Sequence, residues 1–340
     1  MDLTPQPDTV VRPPLRRRWW TPLAVAGTSW MVFMIVSFVM AVLGVWVVFG
    51  ELTLEMFRSV ETITEVSRSR LGFFIVVVLP QLALVVPSIA AALLSPVETR
   101  RRLGLVVGHW PVWAWIASAL ATPLVGLVSS VVVGSFMEES EGLKEMSQIF
   151  RDHGESGFLI PLALMIGVTP AFCEELLFRG YIQTRLVNSF HPVIGIFVAS
   201  FLFAAFHMDP VHVVAVFPMG LFLGFVSWRS GSLFPAMLGH FVNNFISVVL
   251  VVFAPEDETD VLAAPAIAIT LSILAVGILS VSATAVAASM YGPPLAEPDS
   301  DAVPTDESGL PQPDDFVMAR LVNPDSVSDS PYVPPFPTSD

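Results

Sequence analysis

Long apolar blocks alternate with short polar segments along this chain, and most of the apolar blocks are of bilayer length. A helix needs about 20 mostly apolar residues to cross a hydrocarbon core about 30 Å thick. Such blocks run over residues 22–49, 71–95, 110–136, 157–182, 192–207, 211–228, 232–253 and 263–289. The pattern predicts an all-α polytopic membrane protein with about eight transmembrane helices. Pro80 and Pro87 interrupt the second block, where a kink is expected because proline removes a backbone donor. The segment 51–70 mixes charges and reads as a loop or an amphipathic helix. The acidic stretch holding Glu138, Glu139, Glu141, Glu145, Asp152 and Glu155 reads as a loop.

Arg16, Arg17 and Arg18 precede the first block in the manner of a signal peptide. At about 28 residues the block is too long for a signal h-region, so it reads as a retained first span. The domain organisation follows: a basic cytoplasmic tail at 1–19, a membrane domain at 20–290, and an acidic tail at 291–340. That last segment is rich in Pro, Asp and Ser, has no periodicity, and is expected to be disordered. With the N-terminus inside, the inner segments hold Arg12, Arg16 to Arg18, Arg100 to Arg102, Arg179, Arg185, Arg229 and Arg320. The outer segments hold only Arg58, Arg68, Arg70, Lys144 and Arg151. This bias satisfies the positive-inside rule and puts both termini in the cytoplasm of a multi-pass protein of the plasma (cell) membrane.

Composition changes the picture in three places. An apolar fraction of 54% exceeds the roughly 45–50% usual in soluble proteins, in keeping with the lipid bilayer as the solvent. The net charge of −14 is uneven, since ten of the thirty acids lie beyond Gly292, so it does not describe the membrane domain. No basic patch suggests nucleic acid. The single cysteine, Cys173, excludes an intrachain disulfide and a Cys-rich metal site.

Within the block 157–182 stand Glu174, Glu175 and Arg179. Ionised groups at membrane depth cost about 2.5–3.5 kcal/mol each or more, and they usually mark function. On a helix Glu175 and Arg179 are four apart and share a face, so they pair as structural support. Glu174 is rotated about 100° away and lacks that partner. His207, His240 and Asn244 are further polar groups in apolar surroundings. Each also has a bland reading, as a hydrogen-bonding link between helices. His191 and His212 read as loop or interface residues without a role, and Asn243 as a residue that bonds a neighbouring helix.

Spacing favours a shared site. Glu174 and His207 lie 16 and 17 positions either side of residue 190, near the turn between the fourth and fifth spans. In an antiparallel hairpin they fall at one depth, about 24 Å of helix from the turn. His240 fits that depth less closely. A carboxylate, two imidazoles and an amide on one cavity suit water-mediated amide hydrolysis, with Glu174 as base and His207 holding the water. His240 and Asn244 have N–H donors for the oxyanion, where one donor is worth roughly 3–4 kcal/mol.

Glu174-Glu175-x-x-x-Arg179, Phe203-x-x-x-His207 and His240-x-x-x-Asn244, in that order, resemble the three-motif signature of the CPBP family. These are the CAAX-processing and bacteriocin-processing (Abi-type) intramembrane endopeptidases. The resemblance covers about 157–250. It implies an eight-helix bundle with a polar active-site cavity, in which Glu174 and His207 activate water. His240 and Asn244 would be the oxyanion or ligand pair, with Glu175 and Arg179 as support. It also implies membrane-associated or lipid-modified protein or peptide substrates. The family is often called metalloprotease. If a divalent metal such as zinc takes part, its ligands here would be His207, His240 and Glu174. The His-Glu-x-x-His motif of zincins and the serine-hydrolase elbow are absent. Two other readings stand beside the endopeptidase: a non-catalytic scaffold or toxin-immunity protein of the same fold, and a proton-coupled transporter. No inverted repeat supports transport.

Overall fold

Inside a bilayer every backbone N–H and C=O must be satisfied within its own segment, so apolar runs of this length become helices. The computed structural model describes residues 19–95, 97–254 and 264–292. The expectations for the basic N-terminal tail and for the acidic C-terminal tail fall outside those residues. The described helices are α1 (Thr21–Phe49), α2 (Val60–Arg68), α3 (Arg70–Leu93) and α4 (Val112–Gly134). They continue with α5 (Glu141–His153), α6 (residues 159–189), α7 (Pro192–Ala205), α8 (Pro210–Ser230), α9 (Phe234–Phe253) and α10 (Ala264–Met290). A single turn at Thr99–Arg102 joins α3 to the loop before α4. The chain is an all-α, multi-pass membrane protein.

The eight apolar blocks correspond to eight apolar helices, with one difference in length. Seven of the described helices are long and apolar enough to cross a membrane, whereas α7 has 14 residues. At 1.5 Å per residue it spans about 21 Å, short of a hydrocarbon core of about 30 Å. Its C-terminal end gives way to an irregular turn, residues 206–209, that carries His207. Phe206, His207 and Met208 of this turn line the interior cavity. Met208 adopts a left-handed φ of 59°, which costs energy for a residue with a side chain.

The acidic stretch 138–155 is not a loop. Its core is α5, which runs on through a π-helical turn, Gly154–Phe158, into α6. The hydroxyl of Ser140 caps α5 by accepting the Leu143 N–H at 3.3 Å. Gly157, with φ of 75°, takes up the change of direction, a conformation that favours glycine. Glu138, Glu139, Glu141 and Glu155 are exposed, Glu145 and Asp152 meet α2, and Leu143, Met146 and Phe150 recur at helical spacing and face the interior cavity. In the segment 51–70, α2 is the amphipathic helix; Arg68 pairs with Asp152 of α5 at 3.2 Å.

Packing places α9 along both α4 and α6, α10 on α4, and α1 on α3. The short α7 packs on α8 and on the second half of α6. Lipid tails are as apolar as leucine, so helix association rests on close packing and interhelical hydrogen bonds. Both are present. Leu176, Leu177, Phe178 and Ile182 of α6 are buried with Phe203, Leu223 and Leu233. Arg179 Nη2 donates to the Gly220 carbonyl at 3.1 Å, and Gln183 Nε2 donates to the Gly224 carbonyl at 2.9 Å. Two donors one turn apart on α6 thus register against two carbonyls one turn apart on α8.

Candidate active site

The two glutamates close the regular part of α6, and the next eight residues, Leu176–Gln183, wind as a π-helix buried on every side. Such turns recur at functional sites because they re-aim side chains against the regular repeat. Arg179 lies within this stretch, fully buried, and its Nη1 donates to Glu175 Oε1 at 2.6 Å. The predicted pair therefore forms. The Phe203 ring stacks under the guanidinium, 4.2 Å from the ring centre.

His240 meets both glutamates. Its Nδ1 lies 2.9 Å from Glu175 Oε1, and its Nε2 lies 3.9 Å from Glu174 Oε2. A carboxylate ion only accepts, so Nδ1 donates to Glu175 and Nε2 is the nitrogen turned toward Glu174. Glu174 is buried, and its Oε1 accepts from Gln81 Nε2 of α3 at 3.1 Å. Its Oε2 has no hydrogen-bond partner among the described residues. A buried, unpartnered carboxylate oxygen on a cavity wall marks a place for water or substrate.

His207 is half-buried in the turn after α7, and its Nδ1 lies 3.1 Å from the Phe203 carbonyl. A carbonyl can only accept, so Nδ1 carries the proton and Nε2 of the neutral ring is an acceptor. Phe203 thus holds His207 by its backbone. Its ring presses edge-on against His207, at 5.2 Å, and against His240, at 5.8 Å. Asn244 Nδ2 donates to the Ile166 carbonyl at 3.3 Å, and its Oδ1 accepts from Asn243 Nδ2 at 3.2 Å.

Glu174, His207, His240 and Asn244 line one cavity of about 610 Å³. The structure therefore brings together all four residues read from the sequence, including His240, whose depth fitted least well on a count from the hairpin turn. Glu175 and Arg179 are buried behind the wall. The cavity is polar at this end and apolar where Leu143, Met146, Phe150 and Val251 line it. Among the described residues no three His, Cys, Asp or Glu side chains come together to hold a metal ion. The set Glu174, His207 and His240 does not assemble as a three-ligand site here. Structural zinc asks for four donors and catalytic zinc for three.

Four contributions escaped the sequence. Gln81, from a span without an evident motif, reaches Glu174. Phe203 was visible only as the first residue of a motif. Asn243 lines the cavity and orients Asn244 rather than bonding another helix. His212 also lines the cavity, its ring 4.6 Å from that of His207, so it is no mere interface residue.

Comparison with known proteins agrees with this geometry. Residues 156–246 match the family model described as type II CAAX prenyl endopeptidase Rce1-like. That stretch carries all three motifs. That segment is similar to the CPBP-type endopeptidases that its motifs resemble. Among curated proteins, the uncharacterized protein YpbD of Bacillus subtilis (strain 168) is 34% identical over 87 residues, which is 24% of this chain and 42% of that protein. The chain thus matches less than half the length of this curated relative. No solved structure matches. Gln81, α1 to α4 and α10 lie outside the family match, although Gln81 borders the same cavity.

Proposed function

We propose that the protein is an intramembrane endopeptidase that hydrolyses peptide bonds of membrane-associated proteins or peptides with water activated by Glu174. One observation carries this reading. A buried carboxylate with a free oxygen, two imidazoles and a carboxamide share one cavity inside a bundle of membrane-length helices. A site built only for packing has no need to leave Glu174 Oε2 unpartnered.

In the proposed reaction a water lies against Glu174 Oε2 and His207 Nε2. Glu174 takes one proton as the water oxygen attacks the peptide carbonyl carbon, and the tetrahedral oxyanion forms. Asn244 keeps one amide N–H beyond its bond to Ile166, and His240 adds Nε2–H when both ring nitrogens are protonated. These donors hold the oxyanion. The C–N bond then breaks, Glu174 returns its proton to the departing nitrogen, and a carboxylic acid and an amine leave, the acid passing its proton to the amine or to solvent on release. The apolar end of the cavity suits the apolar part of a membrane-embedded or lipid-modified substrate. The same reading sets the chain in the plasma membrane with both termini cytoplasmic.

The test is reconstitution of the full chain in lipid nanodiscs with a membrane-anchored reporter peptide in ¹⁸O-labelled water. Hydrolysis yields two fragments and puts one labelled oxygen in the new carboxylate, read by mass spectrometry. Intact peptide across a panel of membrane-anchored sequences would contradict the proposal and favour a scaffold.

A further inference from the structure

The mechanism leaves one half-buried polar side chain on the cavity wall without a task. Gln81 stands on α3 among Leu79, Leu82 and Leu84, in a helix otherwise built to face lipid and core. Its position follows from the helix upstream. A π-helical turn, Phe74–Val78, precedes Pro80, and the extra residue in such a turn rotates everything after it by about 100° relative to a regular helix. Leu82 then faces outward, while Gln81 reaches the cavity.

The contact there has a fixed direction. The carboxylate of Glu174 can only accept, so the Gln81 amide N–H donates to Oε1. A glutamate side chain has three rotatable bonds, and in an open cavity its carboxylate would swing among several orientations. With Oε1 held by Gln81, Oε2 is the oxygen left free, and it is the one turned toward His240 Nε2. The Gln81 carbonyl oxygen is likewise buried without a partner among the described residues, so the pair offers acceptors that call for a donor such as water.

We propose that Gln81 is the positioning residue of Glu174: it holds one carboxylate oxygen so that the other alone addresses the hydrolytic water. This rests on the endopeptidase reading for its consequence, but not for the contact itself. It also assigns the first half of the membrane domain a part in the site.

The experiment compares the wild-type full chain with Gln81→Leu and Gln81→Met in nanodiscs, each normalised to its folded fraction by thermal melting. Two quantities are read: reporter cleavage, and the infrared carboxylate bands of Glu174, isolated by subtracting a Glu174→Gln spectrum. Gln81→Leu should lower kcat about 10- to 100-fold, the weight of a hydrogen bond to a charged group. KM should stay within about twofold, because substrate binding is not the step affected. Gln81→Met, of similar length but without the donor, should lose at least as much. Both substitutions should shift the Glu174 carboxylate bands. An unchanged kcat in folded Gln81→Leu, a change confined to KM, or unmoved bands would overturn the assignment. If the wild type cleaves nothing, the endopeptidase reading fails by itself, and the infrared bands still decide whether Gln81 holds Glu174.

Discussion

Glu175 Oε1 accepts from His240 Nδ1 at 2.9 Å while the same oxygen binds Arg179 at 2.6 Å. The second glutamate therefore does two jobs. It neutralises a fully buried guanidinium, and it aims the histidine whose other nitrogen looks toward Glu174. Breaking a buried ion pair by removing one partner costs about 3–5 kcal/mol, because the other charge is left uncompensated. Glu175→Ala is thus expected to act first through stability, with a clear fall in melting temperature. Glu175→Gln keeps the shape and one acceptor oxygen. It should melt closer to wild type yet lose activity, since His240 no longer donates to an ionised partner. Paired melting curves and cleavage rates for the two variants check this, and Glu175→Gln with full activity would show that the His240 contact is incidental.

A second prediction concerns the cavity wall beside the two asparagines. Gly126 of α4 packs so closely on Asn243 that a Cβ built there would sit 2.5 Å from its Oδ1. Asn243 donates to Asn244, so the added methyl pushes on the chain of amides that orients the proposed oxyanion donor. Gly126→Ala should lower kcat about tenfold or more, with a loss of stability of about 1–3 kcal/mol from overpacking. Gly134, on the same helix with open space around it, is the control: Gly134→Ala should leave kcat unchanged.

Asp209 supplies a pH-dependent term. It is the N-cap of α8, its Oδ1 accepts the His212 N–H at 2.8 Å, and it lies just outside the span. The Ser140 hydroxyl, and then the His212 N–H, hold its carboxyl below the ordinary value of 3.8. A lowered folded-state pKa means that the stabilisation is fully present above the ordinary value. It is lost as pH falls through the lowered one. Asp209→Ala should therefore destabilise by about 0.5–2 kcal/mol at neutral pH, the usual worth of an N-cap. The gap between wild type and variant should narrow once the pH drops below 3.8, which melting curves across pH would reveal.

Much of this was legible in the sequence, for physical reasons that can be named. Membrane spans announce themselves because hydrocarbon tolerates little else, and Glu174, Glu175, Arg179, His207, His240 and Asn244 stood out against that background. Four-residue spacing sufficed for the Glu175–Arg179 pair, since it puts both on one helix face even through the π-helical turn. Depth was harder to read. Counting from the hairpin turn assumes continuous helices, and α7 ends early while α6 changes its winding. The amphipathic helix α5 was hidden by its acids, although Leu143, Met146 and Phe150 already repeat at helical spacing. Gln81 gave no signal at all, because its role depends on a π-helical turn upstream and on a partner 93 positions away.

The central claim is that Glu174 is the base for an attacking water. The most direct measurement is the cleavage rate of a membrane-anchored reporter by purified full-length protein in nanodiscs, wild type against Glu174→Gln, at matched melting temperature. Replacing the carboxylate by an isosteric amide removes the base, and general-base assistance is worth about 10²–10⁴ in rate. A folded Glu174→Gln protein slowed by that factor is the predicted result. A folded Glu174→Gln protein that cleaves as fast as wild type would contradict it.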